Sequence, residues 1–140
     1  LFRSLKNSEP KMGCKVEDFG LEENISIFLN ELGIKQFYKF QEDAIQEIVF
    51  GENVVIEAPT ASGKTEAFLI PVIQRIKKES SQGRIFAIFV YPTKALARDQ
   101  FPKIQKFADK IKINVKVFDG DTKIEETKIP LKIVSTCLST

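Results

Sequence analysis

Glu57-Ala58-Pro59-Thr60-Ala61-Ser62-Gly63-Lys64-Thr65 is a run of small residues that ends in a cation and a hydroxyl. Residue types of this kind at this spacing are suited to holding phosphate. Small residues at 61 to 63 let successive backbone N–H groups turn inward toward anionic oxygens. A helix opening near Gly63 adds its own unpaired N–H groups and the positive end of its dipole. Lys64 would reach terminal phosphates as a point charge, and the Thr65 hydroxyl would bind the Mg²⁺ that bridges them. A lysine at a helix start is poorly placed electrostatically unless an anion faces it. Thr65 also suits a helix N-terminus as a simple hydrogen-bonding hydroxyl.

The elements around the loop are those that such a site requires. Asn53-Val54-Val55-Ile56 reads as a buried strand running into the loop, and Glu66 to Ile76 has apolar-periodic helical spacing. The strict phosphate-loop pattern has glycine where this chain has Ala58.

Further segments show helix or strand patterning. Glu22 to Leu32 places Ile25, Phe28, Leu29 and Leu32 on one helical face and stops at Gly33. Gln41 to Phe50 repeats the pattern with Ala44, Ile45, Ile48 and Val49, and ends at Gly51. Ile85 to Tyr91 is a second strand, apolar on both faces as in a central parallel strand. Lys94 to Lys110 is a helix with Thr93 as its N-cap. Pro71 and Pro102 fall inside helices and should kink them. A third strand, Val115 to Phe118, ends at Asp119-Gly120. A short helical stretch near 122–127 leads to a fourth strand, Lys132 to Ser135. Alternating strands and helices predict an α/β domain with a parallel sheet.

These motifs together resemble superfamily-2 helicases, the DEAD/DEAH-box and related enzymes. Ala58-Pro59-Thr60 with Gly63-Lys64-Thr65 is similar to their first motif, with Ala61 at a position that is commonly glycine. Tyr91-Pro92-Thr93-Lys94-Ala95-Leu96-Ala97-Arg98-Asp99-Gln100 resembles their Pro-Thr-[Arg/Lys]-x-Leu-Ala segment. Phe40-Gln41-Glu42-Asp43-Ala44-Ile45 resembles their glutamine motif, and Phe118-Asp119-Gly120-Asp121-Thr122 their Gly-containing turn. The resemblance covers about Glu22 to Thr136.

It implies a truncated RecA-like, three-layer P-loop fold with a mainly parallel sheet, and ATP and Mg²⁺ as ligands. Pro59, Thr60, Ala61, Ser62, Gly63, Lys64, Thr65 and Glu66 would hold the nucleotide, with Lys64 and Thr65 in the catalytic roles and Thr65 on the metal. Gln41 would read adenine, since its amide offers an acceptor and two donors. Phe37, Tyr38 and Phe40 either stack on the base or pack into the core. Pro92, Thr93, Lys94 and Arg98 would contact the phosphate backbone of a nucleic acid, and Gly120 and Thr122 would add a second contact. Asp121 would cap the following turn. Thr136-Cys137 departs from the family's Thr-Pro, which puts a third contact in doubt. The wording of these segments leans toward DNA-acting members.

Composition limits the alternatives. A net charge of +2 over 140 residues excludes a globally basic nucleic-acid binder, so any such contact is local. With no histidine there is no His base or His metal ligand. Cys14 and Cys137 have no metal-like spacing and read as free thiols in a reducing compartment: cytoplasmic, or nucleoid or nuclear. No apolar run spans a bilayer and no signal-peptide pattern is present.

Residues 1–20 are polar and read as a flexible lead-in, with residues 21–140 as a partial RecA-like ATP-binding domain. The chain opens on Leu1 and stops after a strand, so a fragment of a larger helicase is expected. The family's Asp-Glu-x-[Asp/His] segment is not in these residues, and Glu125-Glu126 does not follow a buried strand. The resemblance places that strand between the first and second strands. It also implies a second RecA-like domain and an arginine finger beyond this segment. Little ATP turnover and poor stability are therefore expected of these residues alone. Another P-loop ATPase or kinase, and a non-catalytic nucleic-acid-binding fragment, are the alternative readings.

Overall fold

The computed structural model describes residues 2–6, 11–78, 85–118 and 133–137. The chain forms two compact units, Leu1–Arg75 and Ile76–Thr140.

In the first unit, β4 (Asn53–Glu57) carries the loop 58–63 and runs into α3 (Lys64–Lys78). Its parallel neighbour is β1 (Phe2–Lys6), in register from Phe2 opposite Asn53 to Lys6 opposite Glu57. A separate antiparallel pair joins β2 (Met12–Lys15) to β3 (Gln36–Tyr38). Between them lie a 3-10 turn, Val16–Phe19, and α1 (Glu23–Glu31). The segment read as a lead-in thus contributes two strands and a helical turn.

α2 (Lys39–Val49) packs against β2 and β4. Both α1 and α2 end in Schellman turns. Ile34 N–H donates to Leu29 O and Glu52 N–H to Glu47 O, and Gly33 and Gly51 take φ of 81° and 90°. Those stops set the limits of the buried stripes. Ile25, Leu29, Ala44 and Ile45 are in the core. Leu32 and Val49, expected on the same faces, sit where their helices finish and are exposed.

One apolar cluster of this unit joins α2 to the start of α3. Phe40, Ala44 and Ala67 form it, with Tyr38, Val54, Ile56 and Ala58 packed against it. β4 alternates between half-buried Val54 and Ile56 and exposed Asn53, Val55 and Glu57, so it is covered on one face rather than buried on both. Leu69, Ile70, Ile73 and Ile76 supply the buried stripe of α3, and Pro71 lies inside that helix.

In the second unit, β5 (Ala87–Tyr91), β7 (Ile133–Cys137) and β6 (Val115–Phe118) form a parallel sheet in the order β5-β7-β6. α4 (Lys94–Lys110) packs on it through Ala97, Ile104, Phe107 and Ala108. The expectation of a strand buried on both faces is corrected here. β5 starts at Ala87, and Ile88 and Val90 are more than half exposed at 59% and 52% while Ala87, Phe89 and Tyr91 are half-buried. Among the described residues α4 is the helix packed on this sheet, and the alternation follows from it. The short helix expected near 122–127 lies outside the described residues.

Candidate functional site

The loop between β4 and α3 is held by a side chain from another helix. Gln41 is the third residue of α2, because the helix begins at Lys39 rather than at Gln41. From that position its Oε1 accepts the Tyr38 N–H at 2.9 Å, the glutamine half of a capping box. Its Nε2 donates to Gly63 O at 2.9 Å. Gln41 is 4% exposed and is buried with both ends of its amide engaged, not solvent-facing. One amide hydrogen and one oxygen lone pair remain beyond these bonds.

Gly63 is fixed by the same contact. Its φ is 86°, and a Cβ built there would lie 2.3 Å from Gln41 Nε2. Its carbonyl also accepts the Ala67 N–H at 3.3 Å, the first turn of α3. Both the left-handed backbone and the close approach therefore demand glycine. Two residues earlier, Ala61 also adopts a left-handed φ of 59°, with a Cβ in place. This is a strained conformation for alanine, of the kind that gathers at functional loops.

Lys64 stands at the start of α3, and its Nζ donates to Ala58 O at 2.6 Å and to Pro59 O. Carbonyl oxygens of the loop thus offset the repulsion from the helix N-terminus. The Ser62 Oγ is buried and has no hydrogen-bond partner among the described residues. Pro59, Thr60 and Ala61 are exposed, and Thr65 and Glu66 are half-buried in the first turn of α3.

The three aromatics before Gln41 divide. Phe37 and Phe40 are core residues. Phe37 meets Phe19 edge-on, with centroids 5.2 Å apart and planes at 71°. Tyr38 is half-buried and stacks on Phe40 at 6.1 Å.

A polar cluster missed by the sequence reading lies behind the glutamine. Glu42 Oε2 accepts the Cys14 N–H of β2 at 2.9 Å, and Oε1 accepts from Lys39 Nζ at 3.0 Å. Lys39 also pairs with Asp43 at 3.0 Å. The Cys14 N–H foremost, and then the Lys39 ammonium, hold the Glu42 carboxyl below its usual range. Burial, and then the Glu42 charge, push the Cys14 thiol up. The available signal was Gly13, a glycine inside a strand pattern, which often marks a close approach of another chain segment.

The second group of residues lies in the other unit, at the start of α4. Thr93 caps the helix, its Oγ1 accepting the Leu96 N–H at 3.2 Å. No acidic residue occupies the first turn. Pro92, Thr93 and Arg98 are exposed and Lys94 is half-buried, and Lys94 and Arg98 share a helical face. The Tyr91 hydroxyl, at the end of β5, is buried without a hydrogen-bond partner among the described residues, and burial pushes its pKa up. Gly120, Asp121 and Thr122 lie outside the described residues, as do the side chains of Thr136 and Cys137.

Residues 38–139 match the DEAD/DEAH box helicase family, and the chain belongs to it. An uncharacterized ATP-dependent helicase of Bacillus subtilis, YprA, is 38% identical over 73% of this chain and 14% of its own length. The ATP-dependent DNA helicase Hel308 of Pyrococcus horikoshii is 34% identical over 79% of the chain and 15% of its own. Among solved structures, the DUF1998 helicase MrfA bound to DNA superposes with a TM-score of 0.79 at 32% identity, covering 95% of this chain and 19% of that one. The DEAD-box helicase Mss116 matches with a TM-score of 0.80 at 24% identity, which supports the RecA-like fold. The chain therefore spans about a seventh of the length of the curated relatives YprA and Hel308. The family match removes the ground for the kinase alternative. Among the described residues no helix is long and apolar enough to cross a membrane.

Proposed function

We propose that this chain supplies the ATP-binding loop and part of the nucleic-acid surface of an ATP-dependent helicase. The observation that carries the reading is the hydrogen bond from Gln41 to Gly63, which ties a base-side residue to the phosphate loop. Adenine would meet the remaining donor and acceptor of Gln41, beside Tyr38. The phosphates would lie against the N–H groups of residues 61–64, drawing Lys64 Nζ from the carbonyls of Ala58 and Pro59. The buried, unpartnered Ser62 hydroxyl fits a phosphate oxygen as its missing partner. Thr65, in the first turn of α3, would hold Mg²⁺, which would supply charge neutralisation between phosphates.

The start of α4 would take phosphates of a single strand without reading sequence, through Thr93, the N–H groups of the helix start, Lys94 and Arg98. Gly120 and Thr122 belong to the same proposal. In the complete protein, a second RecA-like domain would close on bound ATP and couple turnover to movement along the strand.

The test is ATP affinity of the Lys64→Ala chain, measured by calorimetry with Mg²⁺ present. Removing a charge-assisted contact should weaken binding by about tenfold or more. Unchanged affinity would return the chain to the non-catalytic nucleic-acid-binding reading.

A further inference from the structure

The first turn of α2 is gripped from both sides. Gln41 points to the phosphate loop, and the next residue, Glu42, points to β2. On that side the packing is tight. A Cβ on Gly13 would lie 2.6 Å from Glu42 Oε2, 3.2 Å from Phe37 O and 3.3 Å from Lys39 N. Only glycine lets β2 approach closely enough for Cys14 N–H to reach the carboxylate at 2.9 Å. The surrounding bonds fix the same junction. Gln36 Nε2 donates to Gly13 O at 2.7 Å, Lys39 N–H to Lys11 O at 2.8 Å and Val16 N–H to Lys35 O at 3.0 Å.

The result is one connected path from β2 to the loop. Cys14 N–H holds Glu42, and Glu42 fixes the rotation of the first turn of α2. That turn presents Gln41 to Tyr38 N–H on one side and to Gly63 O on the other. Gln41 has a flexible side chain. Two bonds of a neutral amide define its position only while the helix start and the β3 end keep their spacing. Glu42 is 15% exposed at its side chain, and its bond to the Cys14 N–H is partly buried while its bond to Lys39, itself 48% exposed, lies at the surface.

We propose that Glu42, seated against Gly13, is a positioning residue that sets the discrimination for adenine by locking Gln41 between Tyr38 and Gly63. The inference rests on the reading of Gln41 and the loop as a nucleotide site. It goes further by assigning base selectivity to a contact with β2, remote from the loop itself.

The experiment compares ATP, GTP and tripolyphosphate affinities of the unmodified chain with those of the Glu42→Ala, Glu42→Gln and Lys64→Ala variants. Exchange of the Tyr38 amide hydrogen is followed in parallel. Glu42→Ala should narrow the preference for ATP over GTP by about five- to tenfold and speed Tyr38 exchange. Tripolyphosphate, which has no base, should bind as before. Glu42→Gln keeps an acceptor for the Cys14 N–H and should retain most of the preference. If Glu42→Ala weakens all three ligands equally, or leaves the ATP-to-GTP ratio unchanged, the positioning role is overturned. If Glu42→Ala fails to fold, Glu42→Asp, whose shorter side chain draws the carboxylate back from the Cys14 N–H, takes its place with the same expected and overturning results. Normal Tyr38 exchange with a lost preference in that variant would also overturn it. Loss of all three ligands in Lys64→Ala, with any of these outcomes, leaves the loop reading standing. Full binding by Lys64→Ala removes that reading, independently of Glu42.

Discussion

The Gln41 amide nitrogen donates to the carbonyl oxygen of Gly63 at 2.9 Å, across 22 residues of sequence. The contact joins the start of α2 to the loop that begins α3, and glycine is the residue type that lets it form. It also makes the glutamine segment and the loop 58–63 a single structural unit. The side chain that would face a base shares an acceptor with the first turn of the helix that would face phosphate.

Gly63→Ala should therefore damage both halves at once. An alanine at φ 86° carries a backbone penalty of about 1–3 kcal/mol. The added Cβ, 2.3 Å from Gln41 Nε2, must also push the amide away. A lower urea midpoint together with weakened ATP binding is expected. A variant of native stability that binds ATP normally would show that the close approach is not maintained in solution.

Ala61→Gly should act in the opposite direction. The left-handed φ of 59° costs an L-residue about 1–2 kcal/mol, and glycine adopts it freely. Against this, glycine adds about 0.4–1 kcal/mol of unfolded-chain entropy. The net expectation is a gain of about 0.5–1 kcal/mol in chemical denaturation. A loss of stability would mean that Ala61 relaxes out of the left-handed region.

How much of this was legible beforehand can be followed residue by residue. The order of the four helices and of β4 to β7 was, because apolar periodicity and stop glycines act locally, whereas β1, β2 and β3 were not read as strands. Thr93 as a cap and the span Lys94 to Lys110 agree with the structure. The layering of β5 was not legible. Its residues are apolar throughout, and the exposure of Ile88 and Val90 follows from α4 covering the other face, which the residue types alone do not show. Glu42 was legible only as a neighbour of Gln41. Its partner Cys14 is 28 residues away, and a backbone N–H leaves no trace in side-chain type. The helix start at Lys39 was missed because a capping glutamine in the third position resembles a first helical residue.

Acid should weaken the first unit through Glu42. Its carboxyl is held below the usual value by the Cys14 N–H and by Lys39, so the folded chain binds that proton less readily than the unfolded chain. The contribution is fully present above the ordinary carboxylate range and is lost as pH falls through the lower folded value. Glu42→Gln should be less stable than the unmodified chain at pH 7 by about 1 kcal/mol, the difference between a charged and a neutral acceptor. The two should converge in acid. Parallel stability curves from neutral pH into acid would show that Glu42 titrates normally.

Removing the two basic residues at the start of α4 should change binding to single strands in a way that salt exposes. Lys94 and Arg98 lie on one face of a helix whose first turn contains no acidic residue and whose N-terminus is capped by Thr93. If each side chain neutralises one phosphate, alanine at either position should reduce the slope of log affinity against log salt by about 0.7 for a single strand. Affinity should fall similarly for different sequences, because backbone contacts carry no base information. Lys110→Ala removes the same charge from the last turn of the helix and serves as the control. An equal loss of slope in Lys110→Ala would mean that the effect is the overall charge of α4. A loss confined to Lys94→Ala and Arg98→Ala would place the phosphates at the helix start, and comparing DNA with RNA oligonucleotides would then show which strand the site prefers.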